Sequence, residues 1–317
     1  MPPVPAEPRA DAGTPLALRC LLAVRLPFLT VTLFAYLIGL GTAVRDGHAL
    51  PAASLAGLLL ALICHAAVNV INDWADARNG SDAANTERIY PFTGGSRVIQ
   101  NGVLGERAML VLALALFALT IAGGLLLLVR GAPALFGIGF LGVVLGWGYS
   151  ARPLALNAHG LGEPAVALCY ALVAAGADCV VRGGFVWSAL LAGSGFALAV
   201  TAILYVNQFP DRRADALAGK HHWVVRLGPV RAAALFPALI GAVYALQCLA
   251  VASGALPWPA LAVFVLAPLW RQVARALAEH AETPSQLAPA IRTTILATNL
   301  YGALTAAALW IGALGAP

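Results

Sequence analysis

The chain has 317 residues, 61% of them hydrophobic and only 10% charged, with a formal net charge of +5. Soluble domains carry about 25% charged residues, and a mean hydropathy of +0.84 implies more apolar surface than a water-soluble fold can hide, so the class is a membrane protein. The positive balance does not point to nucleic acid, because the basic residues sit beside apolar runs. Nor do Cys20, Cys64, Cys169, Cys179 and Cys248 suggest disulfides or a metal. They show no paired spacing, four lie in apolar runs, and Cys20 borders one.

In chain order, residues 1–18, MPPVPAEPRADAGTPLAL, are Pro-rich and polar and lack the short apolar core of a signal peptide. They are expected to form a disordered tail, and residues 19–317 a single transmembrane domain. About 20 apolar residues cross the hydrocarbon core as a helix. Such runs occur at 20–44, 52–72, 106–129, 133–150, 163–181, 185–206, 229–253, 257–275 and 288–314. An all-α polytopic fold with nine spans follows, because every backbone amide in lipid must be bonded within its own segment. The runs at 133–150 and 257–275 are the least regular, broken by Gly, Pro and Arg. With nine spans, the N-terminus and the loops after even-numbered spans share one side. All of the 19 Lys and Arg except Arg45, Arg130 and Arg182 fall on that side. The positive-inside rule places it in the cytoplasm, with the chain in the cell's inner membrane.

Two acidic stretches interrupt this apolar pattern. At the end of the second run, NVINDWADARNGSD sets Asn69, Asn72, Asp73 and Asp76 at i, i+3, i+4 and i+7, one face of a helix. Gly80 is expected to break that helix just before Asp82. At the end of the sixth run, YVNQFPDRRADALAGKHHWVVRLG sets Asn207, Asp211 and Asp215 at i, i+4 and i+8, with Pro210 expected to kink the helix or open a new turn. A solvated helix end would explain either stripe alone. Two stripes of the same Asn-then-Asp order at one membrane face are harder to explain that way. An Asp at the centre of a span costs about 2.5–3.5 kcal/mol, and clustered carboxylates repel one another. Carboxylates also stand against the dipole at a helix C-terminus. Divalent cations would offset the charge, and hard oxygen donors of this kind suit Mg²⁺.

These residues resemble the UbiA superfamily of intramembrane prenyltransferases. That family carries an N-D-x-x-D motif after its second helix and D-x-x-x-D after its sixth, here Asn72-Asp73-x-x-Asp76 and Asp211-x-x-x-Asp215. Within it the chain looks most like the menaquinone-pathway 1,4-dihydroxy-2-naphthoate prenyltransferases. TGGSRVIQNG at 93–102, YSARP at 149–153, GLGE at 160–163 and GKHHWVVRLG at 219–228 carry that likeness. Two features depart from it. The second motif reads NQFPD, where a second Asn and an Arg are more usual, and His222-Trp223 replaces Thr-Leu.

The resemblance implies nine helices around a central cavity. It also implies Mg²⁺-dependent transfer of a polyprenyl group from an allylic diphosphate to an aromatic quinone precursor within the bilayer. Two Mg²⁺ ions are expected, one held by Asn69, Asp73 and Asp76 and the other by Asn207, Asp211 and Asp215. Together they would spread the charge of the leaving diphosphate. Lys220, Arg97, Arg152 and Arg213 are candidate contacts to phosphate oxygens. Arg97 is favoured because Gly94-Gly95-Ser96 offers flexible backbone amides to an anion. Asn72, Asp82, Tyr149, Gln100, Asn101 and Arg25 are candidate substrate contacts. Loops at 73–105 and 207–228 are expected to cover the site and exclude water. His65, one turn before Asn69, reads either as facing the cavity or as a satisfied core histidine. Other aromatic acceptors such as 4-hydroxybenzoate, and a transporter that uses intramembrane carboxylates, remain open as alternatives.

Overall fold

The structure is a computed structural model, and it describes residues 6–11, 13–129 and 133–314. Arg130 and residues 1–5 and 12 of the expected tail lie outside the described residues. Helix α1 (Leu16–Val24) lies along the chain's entry. It is followed by α2 (Thr30–Arg45), α3 (Ala53–Asn79), the short α4 (Ser81–Ala84), α5 (Glu106–Val129) and α6 (Leu135–Gly148). Next come α7 (Gly162–Arg182), α8 (Trp187–Leu217), the short α9 (Trp223–Leu227), α10 (Pro229–Ala252), α11 (Ala267–His280) and α12 (Ala288–Leu314). A 3₁₀ stretch, Leu26–Leu29, leads into α2, and another, Trp258–Leu266, leads into α11. Among the described residues there is no β-strand.

Eight helices are long and apolar enough to cross a membrane, counting the two 3₁₀ lead-ins with their helices. They match eight of the nine expected spans. The ninth, expected at 133–150, is α6, which is apolar but only 14 residues long. At 1.5 Å per residue it covers about 21 Å, less than a full hydrocarbon core. It nevertheless carries the chain back to its starting side, since Asn72 Nδ2 at the end of α3 donates to Ser150 Oγ just beyond α6 (2.8 Å).

The segment read as a disordered tail has order of its own where it is described. Residues 16–18 are already helical in α1. Glu7 pairs with Arg88 (2.7 Å) and accepts from Asn101 Nδ2 (3.1 Å). Burial pushes the Glu7 carboxyl up, but the Asn101 and Arg88 hydrogen bonds and the charges of Arg88 and Arg97 outweigh it and hold the group below the usual carboxylate range.

Two local features set the ends of the site helices. Gly80 terminates α3 in the left-handed conformation (φ 85°), with its N–H donating to the Asp76 carbonyl, as its permissive backbone allows. Pro210 does not break α8, which runs unbroken from Trp187 to Leu217. The ring only removes the amide that would have bonded the Val206 carbonyl. Residues 207–217, expected as part of a covering loop, are therefore the last turns of a helix, and their side chains keep helical register.

Helix α8 is the axis of the bundle and packs on α2, α7, α10 and α12. Its Phe196, Tyr205 and Phe209 are buried in a large apolar cluster with Phe236, Trp270 and Ile291. A second cluster joins α1, α3, α5 and the 98–104 segment around Ile71, Val98, Met109 and Phe117. Where α2 meets α7 the backbones touch. A Cβ on Gly39 would lie 1.9 Å from the Ala174 carbonyl oxygen, so only glycine fits. At the end of the bundle away from Asn72, Asp178 is fully buried and satisfied. It accepts from Thr42 Oγ1 (2.7 Å) and from Arg182 Nε (2.8 Å), and Arg182 also reaches Asp46. Arg45 there donates to the Ala255 carbonyl (2.8 Å). The loops after the first, fifth and seventh spans thus share one end, as an alternating path requires.

Candidate active site

The two acidic stripes meet. Lys220, two residues beyond the C-cap of α8, places Nζ 2.7 Å from Asp76 Oδ1 of α3 and 3.0 Å from Asp215 Oδ1 of α8. Asn85, just after α4, donates from Nδ2 to Asp211 Oδ1 (2.5 Å). Within the stripes, Asn72 Nδ2 lies 3.3 Å from Asp76 Oδ2, and Asn79 Nδ2 also donates to Asp76 (3.3 Å). His222 Nε2 sits 3.3 Å from Asp215 Oδ2, and the Lys220 amide donates to the Asp215 carbonyl (2.8 Å).

The 94–97 turn closes over these carboxylates. The Ser96 amide donates to Asp73 Oδ2 (3.0 Å) and the Gly94 amide to Asp211 Oδ2 (3.4 Å). Gly95 (φ 73°) approaches so closely that a Cβ would lie 2.5 Å from Asp82 Oδ2. These amides, expected to face an anion, are engaged by the protein's own carboxylates. Arg97, buried and also left-handed (φ 65°), donates to the Asp82 carbonyl and comes within 3.9 Å of Glu7. Gln100 Nε2 donates to Asp82 Oδ2 (3.3 Å).

Five carboxylates therefore crowd one end of the bundle, opposed by Lys220 in direct contact and by Arg25, whose Nη1 is 3.9 Å from Asp73 Oδ1. The imbalance shows at Asp82, outside the spans. Burial first, and then the charges of Asp76 and Asp73, push its carboxyl up to about 8. Lys220 shows the complement. Burial would lower its pKa, but Asp76 and Asp215 outweigh it and hold the ammonium well above the usual lysine range.

Hard-donor capacity is left over. Asp73 Oδ1, Asn85 Oδ1 and Asn207 Oδ1 are buried with no hydrogen-bond partner. Orphaned oxygens in a cluster with excess negative charge fit a divalent cation. Among the described residues no three His, Cys, Asp or Glu side chains converge as a ready-made cage. The fit is to Mg²⁺, which takes one or two carboxylates and fills its shell with water and phosphate oxygens.

Beneath the carboxylates lies a cavity of about 670 Å³ between α2, α3, α5, α6, α7 and α8. Its polar end is lined by Arg25, Asn69, Asn72, Tyr149 and Asn207. Its far wall, on α5 and α6, is apolar and includes Ile121, Leu125, Phe136 and Phe140, all exposed. The cavity thus joins a charged mouth to an apolar flank.

A family model described as the UbiA prenyltransferase family matches residues 32–296, most of the chain and both acidic stripes. The chain belongs to the UbiA prenyltransferase family. It is an enzyme of the prenyltransferase class and a multi-pass membrane protein. It is 29% identical over 270 residues to the 1,4-dihydroxy-2-naphthoate octaprenyltransferase of Haemophilus influenzae, covering 80% of this chain and 83% of that one. It is 27% identical over 262 residues to the protein of the same name from Mycobacterium tuberculosis, covering 82% and 86%. Among solved structures, a UbiA homolog from Archaeoglobus fulgidus bound to GPP and Mg²⁺ superposes with a TM-score of 0.58. It shares 16% identity and covers 92% of this chain and 99% of its own, which shows the fold.

In this UbiA-family chain, Asp73, Asp76, Asp82, Asp211, Asp215 and Lys220 form one cluster, with Arg25, Asn69, Asn72, Tyr149 and Asn207 at the cavity mouth. Asn69 Nδ2 is tied to the Val24 carbonyl (3.0 Å) and Asn207 Nδ2 to the Phe92 carbonyl (3.3 Å), which fixes both amides. Three other candidates are not brought in. Arg213 is 66% exposed and pairs with Glu87, because the Asp211–Asp215 face of α8 turns it outward. Arg152 is exposed beside Pro153. Asn101 turns away to Glu7 and the Pro8 carbonyl.

Asn85 and His222, which hold Asp211 and Asp215, were not among the expected site residues. Nor was Glu163, buried at the start of α7, which accepts from Gln208 Nε2 (3.0 Å). A carboxylate beginning an apolar run was the available signal for Glu163. Asn85 carried none, being one polar residue in a polar loop.

Proposed function

We propose that this UbiA-family enzyme transfers a polyprenyl group from an allylic diphosphate to 1,4-dihydroxy-2-naphthoate, in a Mg²⁺-dependent reaction of menaquinone biosynthesis. The observation that carries the reading is the meeting of the α3 and α8 carboxylates, through Lys220 and Asn85, at the mouth of a cavity whose other end is apolar. A diphosphate with a prenyl tail has that same division between a charged head and an apolar chain. The A. fulgidus homolog was solved with GPP and Mg²⁺, and the bacterial relatives are named for the naphthoate acceptor and an octaprenyl chain.

Asp73 and Asp76 of α3, with Asn69, and Asp211 and Asp215 of α8, with Asn207, would hold the metal. When bound, Mg²⁺ supplies charge neutralisation for the departing diphosphate. Lys220 joins Asp76 to Asp215, and its ammonium would donate to a phosphate oxygen. Ser96 and Gly94 fix the rotamers of Asp73 and Asp211 through their amides. Arg25 and Tyr149 flank the mouth, where the aromatic ring would meet the allylic carbon. The 94–101 turn, α4 and the segment around Glu7 exclude water, which would otherwise quench an allylic cation. The apolar opening between α5 and α6 gives the prenyl tail a route from lipid. The positive-inside asymmetry supports a carboxylate mouth on the cytoplasmic side of the inner membrane.

The test is product formation by the purified protein in lipid nanodiscs, with a long-chain prenyl diphosphate, dihydroxynaphthoate and Mg²⁺, read by mass spectrometry. A prenylated naphthol that disappears with chelator is expected. Product with 4-hydroxybenzoate and none with the naphthoate would reassign the acceptor, and no product with any aromatic acceptor would overturn the reading.

A further inference from the structure

The mouth residues leave one polar cluster of three side chains in the cavity unaccounted for. Two of the cavity's polar side chains are spent on backbone. Tyr36 donates to the Ser54 carbonyl and Thr120 to the Leu116 carbonyl. Arg25, Asn69, Asn72, Asn207 and Tyr149 belong to the mouth. Thr32, His65 and Tyr170 remain, from α2, α3 and α7, gathered on the cavity wall among apolar neighbours.

Their hydrogen bonding is incomplete in a particular way. Thr32 Oγ1 lies 2.7 Å from His65 Nδ1, a good bond in either direction. The Tyr170 hydroxyl lies 3.4 Å from Nδ1 and also 3.4 Å from Nε2, with the two rings edge to face at 84°. A hydroxyl equidistant from both ring nitrogens is aligned with neither. A neutral imidazole has one donor and one acceptor nitrogen, and Thr32 satisfies Nδ1 alone. Nε2 has only the long Tyr170 contact, and the Tyr170 hydroxyl, which Thr32 also neighbours, keeps a lone pair, so the two can take one more oxygen from the cavity.

Position narrows the ligand. On α3, His65 is one turn from Asn69 and two turns from Asp73, about 6 and 12 Å along the axis. It stands between the carboxylate mouth and the apolar body of the cavity. A single polar cluster there suits a flat apolar molecule that carries a ring hydroxyl, and suits neither a second anion nor a bare hydrocarbon. Resting on the reading of aromatic prenyl transfer, we propose that Thr32, His65 and Tyr170 form the subsite for a ring hydroxyl of the aromatic acceptor. His65 and Tyr170 are its contacts, and Thr32 holds the imidazole in place. A hydroxyl held there keeps the ring beside the diphosphate and lets the imidazole draw on its proton, which enriches the ring for attack.

The experiment compares His65→Leu, His65→Gln and Tyr170→Phe with wild type in nanodiscs, varying each substrate in turn. Loss of about tenfold or more in kcat/KM for the dihydroxynaphthoate is expected in His65→Leu, with KM for the prenyl diphosphate within about twofold. His65→Gln should recover part of the loss. One of the two monomethyl ethers of the acceptor should be used equally poorly by wild type and His65→Leu, because the contact is already gone. Retention of the acceptor kcat/KM within about twofold overturns the proposal, as does an equal rise in both KM values, which marks a packing role. If His65→Leu does not purify folded, Tyr170→Phe carries the test, with a drop of about threefold or more expected for the acceptor alone and no change overturning it. Wild type inactive with every aromatic acceptor would instead sink the functional reading, whereas active wild type with unaffected variants sinks only this subsite.

Discussion

Lys220 shows how one residue joins two helices. Its ammonium touches Asp76 and Asp215 and is itself nearly buried, 8% exposed. Removing it leaves two carboxylates facing each other without a counter-charge, and breaking a buried pair in that way costs about 3–5 kcal/mol. Lys220→Met is therefore expected to unfold at a clearly lower denaturant concentration in detergent, and unchanged stability would show that the bridge is idle. The carboxylates and the arginines separate in the same way. Asp73→Ala and Asp211→Ala should each lower turnover by about 10²-fold or more, the scale of losing a transition-state contact. Arg213→Ala, on the outward face of α8, should stay within about twofold of wild type in the same product assay. Much of this was legible in the sequence. The Asn/Asp spacings at 69–76 and 207–215 mark two polar stripes without coordinates. Which arginine serves the site was not legible, because a lysine or arginine beside a span reads alike as anchor or ligand. The rotation of α8 about its axis, set by packing, decides that Arg213 points outward and Asp211 inward.

At the scale of elements, the bundle depends on a few close approaches and one well-placed helix end. Gly39 lets α2 rest on the α7 backbone, and a side chain there must drive the two apart. Gly39→Val is expected to lower stability by at least the upper part of the about 1–3 kcal/mol typical of overpacking, read by thermal unfolding in detergent. A wild-type melting temperature would show that α2 and α7 are less tightly joined than the structure has them. The end of α3 at Gly80 was readable from the glycine itself. The unbroken passage of α8 through Pro210 was not, because proline signals a break from sequence alone while packing around the buried Phe209 and Pro210 keeps the helix continuous. The same continuity carries the Asn207–Asp215 stripe into the site as a helix face instead of a loop.

For the whole molecule, hydropathy and charge gave the path of the chain, with one span shorter than expected. Helix α6 has 14 residues, yet it delivers the chain beside the last turns of α3, as the alternation inferred from the arginines requires. The cavity was not legible at all. It lies between α2, α3, α5, α6, α7 and α8, and the distance between helices is set by side chains that meet only in the fold. Its division into a polar end and an apolar wall suits the proposed prenyl diphosphate, with its head between α3 and α8. In the proposed reaction these two carboxylate-bearing ends grip one diphosphate together through divalent metal. Equilibrium binding of an unreactive prenyl thiodiphosphate to the purified protein in nanodiscs tests it most directly. Mg²⁺-dependent binding is expected, lost on chelation and weakened about tenfold or more by Asp73→Asn and by Asp211→Asn alike. Binding that survives chelation, or wild-type affinity in either variant, would contradict it.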